Sequence, residues 1–137
     1  MPLQWTKALS VGISEIDDQH KELFGRINKM LNIIVESSEI DEIGKVIDFL
    51  DEYVVSHFAT EERLMKRFGY PDLQHHLQQH GEFTRQSYLF RERCRKEGLS
   101  KFLAIQIEEM MVEWWTNHIN KVDKVLGSFL KDNLSTI

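Results

Sequence analysis

IDDQHKELFGRINKMLNII, residues 16–34, is the stretch that decides the fold, because its apolar side chains recur at a spacing of three and four residues for five turns. This period is typical of an amphipathic α-helix that buries one face. Further runs of the same kind predict helices at approximately 15–37, 41–67, 72–96 and 101–131. The apolar stripe of the last run, which is predicted to be buried, includes Trp114, Val125 and Leu126. Long helices joined by short loops favour an all-α fold, an antiparallel up-down four-helix bundle. Residues 1–14 show no sustained period and are predicted to form an extended arm packed on the bundle.

Local signals mark the ends of these helices. Asp41 and Ser100 are suitable N-caps for the second and fourth helices, because their side-chain oxygens can accept from free backbone N–H groups. Gly69 and Gly98 are predicted to end the second and third helices. Gly81 lies within the third helix at a cost of about 1 kcal/mol relative to alanine. This glycine indicates close packing or simple tolerance rather than a helix end.

Length, composition and charge limit the classes of function. The 137 residues, 42% hydrophobic and 28% charged, fit one globular domain spanning residues 1–137. With 22 acidic and 17 basic residues the net charge is −5, which argues against nucleic acid as a partner. There is no signal peptide and no apolar stretch of the roughly 18 residues that a membrane span needs, so a soluble, cytoplasmic protein is expected. Cys94, which has no second cysteine to pair with, is expected to be structural.

The histidines carry the chemical signal. Five of the six lie in register with an apolar helix stripe and are therefore predicted to face the bundle interior: His20, His57, His76, His80 and His118. The sixth, His75, points about 100° away from its neighbour and is predicted to lie at the surface. One buried histidine is most simply a hydrogen-bonded core residue, but each of five imidazoles needs partners for two ring nitrogens. Coordination of metal would satisfy them together.

Two carboxylates fit the same hypothesis. His57 and Glu61, four residues apart, share one helix face, as do His76 and His80. Asp123 follows His118 by five residues, which places the two about 140° apart on an ideal helix. We therefore predict a local bulge between them, of the π type that is often found at functional sites.

Seven such ligands are too many for one metal ion. Imidazole with carboxylate suits iron or manganese, and no thiolate is offered. If the two carboxylates and a water-derived oxide or hydroxide bridge two ions, three histidines complete six-coordination at one ion. The remaining two histidines leave the other ion five-coordinate, with an open position at which a small diatomic ligand would bind.

At this point the chain resembles a known family, the bacterial hemerythrins. The resemblance is carried by Asp17–Leu23, His57–Glu62, Tyr70 and Pro71 ahead of the third-helix histidine pair, and Trp114–Asp123. It covers essentially the whole chain and fills all seven positions of the family's ligand pattern. It implies two iron ions with an oxo or hydroxo bridge, reversible binding of dioxygen for storage, transport or delivery, and no substrate turnover, so a binding protein rather than an enzyme.

The resemblance also implies a role for each ligand. His76, His80 and His118 would hold the six-coordinate iron, His20 and His57 the iron with the open position, and Glu61 and Asp123 would be the bridges. By the same reasoning four apolar neighbours of these ligands would line an oxygen pocket, although plain core packing explains them equally well: Leu23, Phe58, Trp115 and Ile119. Six polar residues could accept a hydrogen bond from a ligand imidazole, and the sequence does not rank them: Asp17, Asp18, Gln19, Glu22, Glu62 and Glu113.

Other functions remain open to different degrees. A ferritin-like di-iron enzyme would need two Glu-x-x-His motifs and a zinc hydrolase a motif such as His-Glu-x-x-His, and both are absent. A hemerythrin-like protein that senses oxygen, nitric oxide or iron, or that handles iron, is the serious alternative. The short segment after the fourth helix leaves no room for an output module, which favours a free-standing carrier. We expect a monomer, whose recipient could be an oxygen-consuming enzyme. A purely structural bundle would fold fully without metal.

Overall fold

The structure is a computed structural model that describes residues 3–36, 40–98 and 100–134. Five α-helices occupy most of these residues: α1 Ser14–Glu36, α2 Ile40–Phe68, α3 Leu73–Glu97, α4 Lys101–His118 and α5 Lys124–Leu134. A wide π-turn, Ile119–Asp123, joins α4 to α5, so that the two form the fourth helix of the bundle. α1 packs against α2 and α4, and α3 packs against α2 and α4. The described residues contain no β-strand, and the predicted all-α four-helix bundle is confirmed.

Several predicted helix ends are confirmed by backbone geometry. Gly69 has a φ of 67°, and the following Tyr70 N–H donates to the Met65 carbonyl at 2.9 Å, a glycine-dependent helix ending. Gly98, with a φ of 78° and a ψ of 163°, follows the last residue of α3, and its N–H donates to the Cys94 carbonyl at 3.0 Å. The Ser100 hydroxyl accepts from the Leu103 N–H at 3.1 Å and caps α4 as predicted.

Other predicted features have a different outcome. α2 already includes Ile40, so Asp41 lies within the helix rather than at its N-cap. The side chains of Ile34, Asp41 and Val46, and the first-helix end near residues 37–38, lie outside the described part of the chain. A Cβ built on Gly81 meets no atom within 4 Å, so this glycine reflects tolerance and not close packing.

Among the side chains that the structure describes, the core follows the predicted stripes with one exception, Val125. In an uninterrupted helix Val125 would lie within about 20° of His118, and the sequence predicts it to be buried. It is 51% exposed, whereas Leu126 and Leu130 are fully buried. The π-turn holds one residue more than an α-turn, which rotates all following residues by about 100° and turns Val125 outward. None of the described helices combines the length and apolar character needed to cross a membrane.

The N-terminal arm packs on the bundle as predicted, with one 3-10 turn at Lys7–Leu9. Leu3 and Val11 are buried in the core. Asp17 of α1 holds the arm: its carboxylate accepts from the Ser10 hydroxyl at 2.5 Å and from the Val11 N–H at 2.9 Å. On the opposite side the arm lies so close to α5 that a Cβ on Gly127 would overlap the Val11 carbonyl.

Candidate metal centre

All seven predicted ligand residues lie in one buried cluster near one end of the bundle, and none is more than 4% exposed. Each helix contributes to the cluster because its polar candidate ligands lie in register with its apolar stripe and therefore face the core. α1 supplies His20, α2 supplies His57 and Glu61, and α3 supplies His76 and His80. The last two, His118 and Asp123, come from the end of α4 and from the π-turn.

The cluster consists of two overlapping groups of donor atoms. In one group His76, His80 and His118 surround Glu61 and Asp123, and in the other His20 and His57 surround the same two carboxylates. Within each group the ligand atoms all lie within 4.8 Å of one another. Both carboxylates are thus shared, and the histidines divide three to two.

Short distances connect the carboxylates to both sets of imidazoles. The Asp123 carboxylate lies 3.1 Å from the Nε2 atoms of His20, His76 and His118. Oε1 of Glu61 lies 3.0 Å from Nε2 of His80 and 3.8 Å from Nε2 of His57. All five imidazoles therefore direct Nε2 toward the shared carboxylates.

The predicted π-type bulge is present and explains how Asp123 reaches the cluster. The backbone changes from α to π geometry directly after His118 and returns to α geometry at Lys124. A π-turn has more residues per turn than an α-turn, which brings residues five apart onto one face. His118 and Asp123 therefore meet, with Nε2 of the first 3.1 Å from Oδ1 of the second.

The chemistry of the unpartnered donor atoms in the cluster fits a metal site. In the described part of the chain, buried ligand atoms that make no hydrogen bond include Nε2 of four of the histidines, Oε2 of Glu61 and both oxygens of Asp123. Leaving so many buried polar atoms unsatisfied is costly, and coordination of cations would satisfy them. Five imidazoles with two carboxylates suit iron or manganese rather than calcium or magnesium.

Charge and burial move the pKa values of these groups in opposite directions. Burial alone would raise the pKa of Asp123, but His118, His20 and His76 outweigh it and hold this pKa well below the usual carboxyl range. Burial also lowers imidazole pKa values, yet the negative carboxylates of Asp123 and Glu61, 3.1 and 3.4 Å from Nε2 of His76, raise the pKa of His76 to about 9. For His57 burial prevails over the attraction of Glu61 and lowers the pKa to about 4.

The structure ranks the polar residues that could orient the ligand imidazoles. Nδ1 of His57 lies 2.7 Å from Oε1 of Gln19, and Nδ1 of His80 lies 3.2 Å from Oε2 of Glu62. Asp17 instead holds the arm. The other three candidates point elsewhere: Asp18 pairs with Lys21, Glu22 pairs with Arg26, and Glu113 is exposed.

A hydrogen-bond chain fixes the tautomer of His57. The Thr60 hydroxyl donates to the Ser56 carbonyl, so its oxygen accepts from Nε2 of Gln19 at 3.1 Å. This turns Oε1 of Gln19 toward His57, whose Nδ1 must then carry the proton and donate. The lone pair of His57 is therefore on Nε2, the atom directed at the cluster.

Apolar and aromatic side chains enclose the cluster. The four predicted pocket residues, Leu23, Phe58, Trp115 and Ile119, are all buried. Phe58 stacks on the His80 ring at 3.8 Å between centroids, and the Trp115 ring lies 6.0 Å from that of His57. His75, as predicted, is exposed and lies outside the cluster.

One residue at this site was missed by sequence reasoning, which placed Trp114 only on a core stripe. Its indole stacks on the His118 imidazole with 4.3 Å between ring centroids and 16° between ring planes. The spacing of four residues between Trp114 and His118 was the available signal, because residues four apart share a helix face.

Fold and site together define a class of protein, a four-helix bundle with a buried histidine and carboxylate cation site. Residues 11–130 match the Hemerythrin HHE cation binding domain. The chain belongs to the hemerythrin family.

Individual relatives agree with this family over nearly the full chain. A bacteriohemerythrin of Stenotrophomonas maltophilia is 31% identical, with 97% of this chain and 84% of the relative covered. A bacteriohemerythrin of Methylococcus capsulatus is also 31% identical, with 93% and 96% covered. The crystal structure of a wild-type hemerythrin superposes with a TM-score of 0.81 at 30% identity, covering 95% of this chain and 98% of the other.

Proposed function

We propose that the cluster holds two iron ions and that the protein binds dioxygen reversibly, for oxygen storage, transport or delivery. The observation that carries the proposal is the pair of donor groups that share Glu61 and Asp123. Two ions bridged by the same carboxylates are the arrangement that seven ligands in a three-to-two division allow. The names of the relatives, bacteriohemerythrin and hemerythrin, support the same conclusion.

The residues would divide their work as follows. His76, His80 and His118 would bind one ion. His20 and His57 would bind the other and leave a coordination position open at it. Iron in this site would supply electrons and the open position that reversible dioxygen binding requires. Gln19 would hold His57 in the tautomer that presents a lone pair to the metal, because its amide oxygen faces Nδ1.

The apolar enclosure would keep water and anions away from the open position. Leu23 and Ile119 are fully buried and Phe58 is 5% exposed, and none of these side chains can hydrogen-bond water. The Trp115 ring lies 6.4 and 6.0 Å from the rings of His20 and His57. Exclusion of water and anions would slow conversion of the irons to the ferric state, which no longer binds dioxygen. As a carrier, the protein would act as a cytoplasmic monomer that passes dioxygen to an oxygen-consuming enzyme.

The test combines metal analysis with optical spectra. We expect about two irons per chain, as the three-to-two division of ligands requires. We also expect a visible charge-transfer band that appears under oxygen and disappears again under argon. Irreversible oxidation in the first oxygen cycle would contradict a carrier and would favour the sensing or iron-handling alternative. Steady consumption of a substrate would contradict a non-catalytic role.

A matched pair of variants tests the ligand assignment. His118→Ala removes a buried imidazole of the cluster, and His75→Ala removes an exposed one. We expect the first variant to lose iron and the oxygen-dependent band, and the second to retain both. Full iron content in His118→Ala would contradict the assignment.

A further inference from the structure

A groove leads from the surface to one candidate ligand. It has a volume of about 500 Å³ and opens between α3 and the fourth helix. Trp114 and His118 form part of its lining, together with the amides of Gln79 and Asn117. His118 is itself only 2% exposed, so the groove reaches the edge of the buried cluster without opening it to bulk solvent.

Trp114 connects this groove to the cluster through direct ring contact. Its half-buried indole lies parallel to the His118 imidazole, 4.3 Å away, and Nε2 of His118 lies 3.1 Å from Asp123. Phe83 and Trp115 hold the indole in place, with ring centroids 4.6 and 4.9 Å away. A molecule in the groove that contacts Trp114 is therefore separated from a metal ligand by one aromatic ring.

Under the proposed function, on which this inference rests, iron that has become ferric needs two electrons before the protein can bind dioxygen again. The ligand atoms are buried, so a bulky reductant cannot touch the metal and its electrons must cross a side chain. We propose that the groove is the site where electrons enter, and that its occupant is the ring system of a reduced flavin in contact with the part of Trp114 that lines the groove.

The reaction balances without a covalent step. The reduced flavin ring loses two electrons and two protons and becomes the oxidised ring. Each of the two ferric ions gains one electron and becomes ferrous. The protons leave to solvent, because the groove is open and its rim carries exposed side chains such as Glu82 and Glu113.

The lining of the groove suits this class of ligand. A volume of about 500 Å³ lies within the usual range for small-molecule sites. The part of the indole that lines the groove offers an aromatic contact, and the amides of Gln79 and Asn117 offer donors and acceptors to the polar edge of a flavin ring. The carboxylates of Glu82 and Glu113 outnumber the ammonium group of Lys121 in the lining, which disfavours a small anionic reductant.

Docking is tested first, by quenching of riboflavin fluorescence on titration with the purified protein. We expect Trp114→Leu to weaken riboflavin binding about tenfold, the loss of one aromatic contact. Trp114→Phe should retain most of the affinity. Tyr88→Leu, which removes an exposed aromatic ring of α3 outside the groove, should bind as the wild type does. Equal binding by wild type and Trp114→Leu would overturn the proposal, whether or not the preparation contains iron.

Electron transfer is tested next, by anaerobic stopped-flow reduction of the ferric protein with reduced riboflavin. We expect the rate to saturate with riboflavin concentration in the wild type. It should fall in Trp114→Leu and in Asn117→Trp, which fills the groove but leaves the Trp114 and His118 stack intact. Reduction by dithionite, a small inorganic donor, and the reduction potential should be unchanged in Asn117→Trp. The proposal would be overturned if reduced riboflavin reduced Trp114→Leu and Asn117→Trp as fast as the wild type. It would also be overturned if a shift in reduction potential explained their slower reduction.

These results can be distinguished from a failure of the proposed function. A protein that holds iron but oxidises irreversibly would refute the carrier while the riboflavin comparison still stands. A reversible carrier whose reduction does not depend on Trp114 would refute the groove alone.

Discussion

At the scale of single residues, the candidate metal centre depends on which atom of each imidazole faces inward. The sequence predicts five inward histidines from their register, and all five are buried. It could not rank the hydrogen-bond acceptors behind them, because the rotation of α1 against α2 decides whether Gln19 or a neighbouring carboxylate meets His57. That rotation depends on packing between residues 38 positions apart, which a local pattern does not contain.

Gln19 provides a prediction at this scale. Gln19→Leu removes the acceptor for Nδ1 of His57, so the imidazole is free to rotate or to adopt the other tautomer. We expect iron affinity to fall about 10–100-fold, the usual effect of losing such an acceptor. Competition with a chelator measures the change. Gln78→Leu, an exposed glutamine of α3, is the control and should have wild-type affinity.

The pH dependence of stability in the metal-free protein follows from two histidines. The pKa of His57 falls from 6.5 to about 4 on folding, so the unfolded chain binds more protons in this window and stability rises with pH. The pKa of His76 rises from 6.5 to about 9, so the folded protein holds more protons above pH 6.5 and its stability falls as pH rises.

These two groups together place the maximum of unfolding free energy near pH 6.5. Urea unfolding of chelator-treated protein at about pH 5, 6.5 and 8.5 measures it. His76→Gln should show a smaller decline on the alkaline side, because His20, whose pKa Asp123 raises against the effect of burial, is the cluster histidine that still deprotonates there. A decline of the same size in this variant would show that another group is responsible.

At the scale of elements, the π-turn in the fourth helix shows which predictions from the hydrophobic pattern are confirmed and which are wrong. The distance in sequence between His118 and Asp123 predicts a bulge, and the π-turn is present. The same turn rotates every residue after it, so the prediction that Val125 is buried is wrong. A buried face predicted with one fixed helical period is therefore wrong for the residues that follow an extra residue in the helix.

A deletion tests this account of the π-turn. Removing the exposed Asn120 should convert the π-turn to an α-turn. Asp123 and Leu126 would then stay on the inner face, because the π-turn contains one residue more than an α-turn needs. We expect this variant to fold and to keep its iron. Removing Glu109, an exposed residue of regular α4, rotates one part of the helix against the other by about 100° and should abolish iron binding. Loss of iron in both deletions would contradict this explanation.

At the scale of the whole molecule, the sequence predicts four helices and an arm, but not where the arm makes its closest contact. The arm passes α5 at Gly127, a glycine that sequence reasoning did not single out, because a contact between residues this far apart leaves no local pattern. Gly81, which the sequence did single out, has free space around it. The role of a glycine inside a helix is therefore decided by tertiary packing.

The two glycines predict opposite effects of the same substitution. Gly127→Ala would force the arm away from α5, and we expect it to lower the unfolding free energy by about 1–3 kcal/mol, as overpacking does. Gly81→Ala meets no atom and should raise it by about 0.5–1 kcal/mol, because alanine has less backbone freedom to lose. Urea unfolding measures both. Equal effects in the two variants would contradict the close approach of the arm.

The position of the cluster makes the two ends of the bundle unequal. All seven ligand residues lie toward the end where α2 passes into α3, and residues from His20 to Asp123 meet there. Cations in that cluster would cross-link the four helices at one end, while the opposite end is held by apolar packing. Local opening should therefore begin at the end without ligands, and amide hydrogen exchange should slow progressively along each helix toward the cluster. Such a gradient would let the far end fluctuate while the distances among the ligand atoms stay fixed.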